Sequence, residues 1–261
     1  MDLQLNGKKA LVTGSTAGIG LAIAAALARE GAHVVVNGRT ETRVAEAISK
    51  IRADTSGSVS GIAADGGTRE GTDRIVAQLG DVDVLVNNLG IFEPKPFDRI
   101  PDEDWMRFFE VNVLSGVRLS RAFLPGMLQR NWGRVVFISS ESAYQTPAEM
   151  IHYGMTKSAQ VAVARGLAET TAGTGVTVNS VLPGPTRSEG LEVFAQRLSG
   201  GKSFSEFERE FFTRVRPTSL LKRFETVEEI GSVVAFVCSP LASGINGAAV
   251  RAEGGVLKSA F

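Results

Sequence analysis

Tyr153 and Lys157 stand four positions apart in the stretch Tyr153-Gly154-Met155-Thr156-Lys157, and Ser140 precedes the tyrosine by thirteen positions. Positions i and i+4 of a helix share a face. An ammonium held beside a phenol favours phenolate, so such a tyrosine can exchange protons near neutral pH. A nearby serine hydroxyl can hydrogen-bond the same substrate oxygen. The three groups are suited to moving a proton on and off an alcohol or carbonyl oxygen. Taken alone, the pair has a plainer reading: a half-buried tyrosine and a solvated lysine on one helix. The context has to decide.

Near the start of the chain, Thr13-Gly14-Ser15-Thr16-Ala17-Gly18-Ile19-Gly20 follows an apolar run and opens a helical pattern. Gly14 allows a tight turn, Gly18 lets the backbone approach a pyrophosphate, and Gly20 permits close helix packing. The helix start offers free N–H groups and positive partial charge to an anion. The alternative is a glycine-rich turn without a ligand. Cofactor choice is legible at the end of the second strand. An acidic residue there would hold the ribose diol of NAD. Asn37-Gly38-Arg39-Thr40 has no carboxylate, and Arg39 can grip a 2′-phosphate. NADP(H) is therefore the preferred cofactor, with NAD(H) possible. The combination of loop and tyrosine set indicates hydride transfer.

The elements that must position these groups follow a simple rhythm. Strand-length apolar runs begin at Lys9, His33, Val59, Val82, Arg134, Val176 and Ala248. Helical periods fall between them: 18–30, a helix capped by Thr40 and running to about Ala53, 69–79, 102–130, about twenty residues from Ile151, and 226–238. The long 102–130 helix is expected to break near Pro125. Alternation of this kind predicts an α/β fold: one doubly wound Rossmann-type domain over 1–261, with about seven parallel strands and helices on both faces. From Thr186 to Glu225 no strand is expected. One short segment there carries Leu191, Phe194 and Leu198, and another carries Phe204, Phe207, Phe211 and Phe212. An excursion of this length after a strand end is expected to act as a substrate lid over 187–224; the alternative is a packed surface excursion.

Composition narrows the classes. The chain has 261 residues and a formal net charge of zero, with 28 basic and 28 acidic residues. No like-charge block marks a nucleic-acid or membrane surface. The first residues contain no apolar core of a signal peptide, and no run is long enough to span a bilayer. The lone Cys238 reads as a buried, inert thiol. Without signal or disulfides, the expected compartment is the cytoplasm. With only His33 and His152, no metal site is expected. His33 reads as structural and His152 as a neighbour of the tyrosine.

Taken together, these motifs resemble the short-chain dehydrogenase/reductase family along essentially the whole chain. The resemblance rests on Gly14 to Gly20, Asn87-Asn88-Leu89-Gly90, Asn112, Ser140, Tyr153 with Lys157, and Pro183-Gly184. It implies a nicotinamide cofactor and no catalytic metal. It implies that Tyr153 is the acid/base, that Lys157 lowers its pKa and holds the nicotinamide ribose, and that Ser140 orients substrate. Asn112 would support a water-linked proton path through Lys157. Asp65 would contact adenine, Asn88 and Gly90 would flank the cofactor, and Thr186 would lie near the carboxamide, beside Pro183 and Gly184. A homotetramer is also implied, consistent with long helices that could pair between copies. Leu89, Ala143 and Glu141 depart from the family pattern. Glu141 would favour a cationic or hydroxyl-rich substrate if it faced the pocket, and is otherwise solvated or paired.

The first expectation is thus an NADP(H)-dependent oxidoreductase interconverting a secondary alcohol and a ketone, of the 3-oxoacyl reductase or the sugar/polyol dehydrogenase kind. A non-catalytic dinucleotide-binding sensor or scaffold is the second, although it has no need of the intact serine, tyrosine and lysine. A third keeps the fold but uses transient oxidation for epimerisation or dehydration.

Overall fold

The valine-rich runs of this chain have no polar face to offer water, so they are stable only where both faces of a sheet are covered. In the computed structural model, which describes residues 1–55, 57–191 and 203–260, they form one seven-stranded sheet. Its strands are β1 (Lys9–Val12), β2 (His33–Gly38), β3 (Val59–Ala63), β4 (Val84–Asn87), β5 (Gly133–Ile138), β6 (Val176–Pro183) and β9 (Ala249–Ala252). Their order is β3-β2-β1-β4-β5-β6-β9, and every pairing is parallel. The expected fold class is therefore observed.

Side chains alternate along each strand and feed two cores. Ala10, Val12, Val34, Val36, Val84 and Val86 pack with α1 (Gly18–Arg29), α2 (Glu41–Asp54) and α8 (Val227–Val237). Leu11, Val35, Leu85 and Val135 pack on the other face with α3 (Arg69–Leu79), α5 (Ser115–Gln129) and α6 (Ile151–Thr170). The direction of winding reverses between β1 and β4. Ligands bind at the carboxyl ends of strands at such a switch point, and the glycine loop and Asn88-Leu89-Gly90 leave the sheet at this place.

Local chemistry sets the helix ends. Thr40 caps α2 by accepting the Arg43 N–H, as expected. Thr226 and Glu229 form a reciprocal capping box at the start of α8. Cys238 is fully buried, and burial pushes its thiol up to about 12. The His33 ring meets the hydroxyls of Ser58 and Ser60, a structural role.

Two expectations are corrected. The 102–130 stretch does not break at Pro125, which lies inside α5. Pro125 and Arg121 are both exposed, so the carbonyl deprived of its partner can be met by water. The irregularity lies earlier, as a π-helical turn at Glu110–Leu114 between α4 (Asp102–Phe109) and α5. The second correction concerns the excursion. β7 (Thr186–Arg187) and β8 (Glu225–Thr226) form a short parallel pair, Thr186 opposite Glu225, where no strand was expected. Two residues are too few to show a period. Within the excursion, α7 (Phe204–Arg214) stacks Phe204, Phe207, Phe211 and Phe212 against Phe224. Phe194 and Leu198 lie outside the described residues.

Candidate active site

The glycine loop is built for an anion. Gly14 and Gly18 have φ of 61° and 55°, the left-handed region that side chains avoid. A Cβ on Gly20 would strike the Gly14 carbonyl and the Asn88 amide. The residue before α1 is Ala17, which provides no side-chain cap, so the first N–H groups of this helix stay free for a ligand. The supports of the loop come from elsewhere in the chain. Asn88 Nδ2 donates to the carbonyls of Thr13 and Gly14 at 2.8 and 3.1 Å. Ser15 donates to the Val12 carbonyl and accepts the Asn37 N–H, so its side chain braces the turn from inside. Thr16 packs over Gly38, where a Cβ would collide with it. Leu89 lies against both Gly14 and Gly66. Arg39 is exposed beyond β2, and Asp65 accepts the Gly67 N–H at 3.0 Å within its own turn. These residues fit a dinucleotide.

The predicted catalytic residues converge. Gly90 brings the end of β4 close to two of them: a Cβ there would sit 3.5 Å from both Asn112 Oδ1 and Lys157 Nζ. Asn112 lies in the π-helical turn, fully buried. Its side chain accepts the Ile91 N–H and donates to the Ile91 carbonyl and the Thr156 hydroxyl. Lys157 Nζ donates to the Ile138 carbonyl at 2.9 Å and to Gln160 Oε1 at 3.1 Å. Gln160 Nε2 then donates to the Asn112 carbonyl at 2.6 Å. The lysine is thus joined to Asn112 by a protein side chain. Gln160 was missed in the sequence, although its i+3 spacing from Lys157 places the two on one helix face.

Electrostatics refine the expected roles. Burial lowers Lys157 to about 7, and Glu141 opposes this. Tyr153 is pushed well above the usual phenol range by burial first and by the Glu141 charge second. Ser140 and Arg216 pull it back. The expected acidification of Tyr153 by Lys157 is not seen: the ammonium is 5.5 Å from the ring centre and occupied with Ile138 and Gln160. The phenol is instead kept protonated.

Glu141 is paired and buried. It accepts the Ser140 hydroxyl in a very short hydrogen bond, and its other oxygen takes Arg216 Nε at 3.2 Å. Ser140 also accepts the Ser142 N–H. Arg216 comes from the 187–224 excursion, 75 residues away, so no local pattern announces it. His152 is buried against Phe108 and Trp105, with neither ring nitrogen bonded to the described residues. Gly184 donates to Glu225, and burial raises that carboxyl to about 7. Thr186 donates to the Gly184 carbonyl, which leaves Pro183, Gly184 and Thr186 grouped at the end of β6. No group of histidine, cysteine and carboxylate side chains among the described residues could hold a metal. No helix among them is long and apolar enough to cross a membrane.

This arrangement can be set beside known proteins. Residues 8–197 match the family model described as short chain dehydrogenase. The chain is 49% identical to an uncharacterized oxidoreductase, YvaG, of Bacillus subtilis, each covered to 100%. It is 34% identical to D-beta-hydroxybutyrate dehydrogenase of Cupriavidus necator, over 96% of this chain and 98% of that one. Among solved structures, L-sorbose reductase from Gluconobacter frateurii, complexed with NADPH and L-sorbose, superposes with a TM-score of 0.92. The two share 32% identity over 99% of this chain and 100% of that one.

Proposed function

Because the chain belongs to the short-chain dehydrogenase family and is an oxidoreductase, we propose that it interconverts a secondary alcohol and a ketone with NADP(H). The observation that carries this reading is the grouping of Tyr153 with Ser140 and Lys157, the lysine itself beside Gly90, near the switch point that the glycine loop opens. When bound, the dinucleotide supplies or takes the hydride. The residues of the chain handle the proton. Tyr153, protonated at neutral pH, is the donor to a ketone oxygen, and Ser140 orients that oxygen once its one O–H turns from Glu141 to the substrate. Lys157, whose pKa burial lowers to about 7, is placed to restore the phenol proton and to hold a ribose hydroxyl.

Preference for NADP rests on Arg39, an exposed guanidinium in Asn37-Gly38-Arg39-Thr40, where no carboxylate would repel a 2′-phosphate. The described part of the excursion, α7 and Arg216, belongs to the substrate side, because Arg216 reaches the neighbour of the catalytic serine. We further propose a homotetramer, to be checked by sedimentation at micromolar concentration; a stable monomer refutes it.

The test is an absorbance screen of ketones and alcohols with both cofactors. Turnover with NADPH above NADH is expected. Arg39→Asp should move the ratio of kcat/KM values towards NADH by roughly 10- to 100-fold, the worth of a charged hydrogen bond. Absence of turnover on every carbonyl and alcohol rejects the reaction; an unchanged ratio rejects the role of Arg39.

A further inference from the structure

The buried ion pair beside the catalytic serine has a consequence for substrate. We propose that Glu141 and Arg216 form a substrate subsite selective for neutral, polyhydroxylated ketones and the matching polyols. This deepens the reading above and rests on it.

The first support is position. Glu141 bonds the Ser140 hydroxyl directly, and Arg216 bonds Glu141. Next to the Ser140 hydroxyl stands a carboxylate, and on the far oxygen of that carboxylate a guanidinium. Both side chains are nearly excluded from solvent, at 7% and 10% exposure.

The second support is unused bonding capacity. A carboxylate accepts about four hydrogen bonds. Glu141 accepts one at each oxygen, from Ser140 and Arg216. Arg216 spends Nε on Glu141, and Nη1 on Glu149 and on the Val215 carbonyl. Its Nη2 has no partner among the described residues. The pair thus offers acceptors and donors side by side. Neighbouring hydroxyls on a carbon chain each donate and accept, so they satisfy both at once. An alkyl or acyl chain laid there would leave both unpaired.

The third support is sign. Glu141 and Glu149 outnumber Arg216, so these three groups carry net charge −1. A carboxylate or phosphate on the substrate would meet this net negative charge at Glu141, next to Ser140, and a neutral hydroxylated chain avoids that penalty. Phe92 stands edge-on to Tyr153, ring centres 6.4 Å apart, and is 53% exposed. It provides an apolar surface for the C–H side of the same chain.

The experiment compares kcat/KM with NADPH for a ketohexose, for hexan-2-one and for 3-oxohexanoate. The wild type should favour the ketohexose by at least about tenfold. Glu141→Gln should lower the ratio of ketohexose to hexan-2-one by about tenfold to a hundredfold. Removing one partner of a buried pair can unfold a protein, so E141Q/R216Q is made beside it, with melting followed by circular dichroism. The same fall in ratio is expected there. Equal losses on both ketones would mean that the pair only positions Ser140, and would overturn the proposal. A wild type that prefers hexan-2-one or 3-oxohexanoate also overturns it, while ketone reduction stands. Failure on all three substrates and throughout the wider screen removes the parent reading as well.

Discussion

Replacing Gln160 by leucine should loosen both the fold and the side chain of Lys157. The glutamine is fully buried and makes two bonds, to Lys157 Nζ at 3.1 Å and to the Asn112 carbonyl at 2.6 Å. Leucine has nearly the same volume, so the cavity cost is small. Lys157 keeps the Ile138 carbonyl, but the Asn112 carbonyl loses its side-chain donor in the π-helical turn. A hydrogen bond typically contributes about 0.5–1.5 kcal/mol and one to a charged group about 1.5–3 kcal/mol, so losing both should cost about 3 kcal/mol, read from urea unfolding. The freed ammonium can shift, and a displacement of about 1 Å costs on the order of 10²-fold in rate. Gln129→Leu, on the exposed end of α5, is the control and should change stability by less than about 0.5 kcal/mol. A loss below about 1 kcal/mol with an unchanged kcat would refute the bridge. Stability lost with kcat retained would show that Gln160 supports the fold without placing the lysine.

Tyr153→Phe removes only the hydroxyl and should lower kcat at least ~10²-fold, with NADPH binding by fluorescence almost unchanged; near-normal turnover would overturn the acid assignment. Lys157→Met should weaken both rate and cofactor affinity, and normal values of both would make the lysine structural. Glu225 gives a pH signature. Its folded pKa is raised to about 7 from 4.5, mainly by burial, so the folded state holds a proton that the unfolded chain releases. Stability therefore falls as pH climbs from 4.5 to 7 and levels above it. Glu225→Gln should stabilise the protein on the order of 3 kcal/mol more at pH 8 than at pH 4.5, and the same change at both values would contradict the shift.

Much of this could be read from the chain. The strands were legible because parallel strands must be apolar on both faces, and the glycine loop because three glycines fall between a strand and a helix. Tyr153 and Lys157 were legible from spacing. The π-helical turn was not, because one extra residue per turn barely alters the apolar pattern around Val111, Val113 and Leu114. Pro125 drew attention instead, since a proline's missing donor shows in the sequence, whereas the exposure of Arg121 and Pro125 does not. Arg216 could not be paired with Glu141 across 75 residues without the fold. The acidity of Tyr153 was misjudged for a related reason. Spacing tells which lysine is near, but desolvation and the Glu141 charge depend on everything packed around the ring.

The short β7–β8 pair reaches beyond the reaction. Thr186 faces Glu225 across a parallel ladder, so both ends of the long excursion are clamped at one point on the sheet's rim. What lies between them is then a closed loop, whose closure entropy grows only with the logarithm of its length; doubling it costs about 0.6 kcal/mol. The scaffold can therefore accept excursions of different length and sequence with little penalty to its own folding. Thr186 and Glu225 mark the natural cut points for exchanging this segment as a cassette while leaving the glycine loop and the Tyr153–Lys157 helix intact, a swap that tests whether the excursion sets substrate preference.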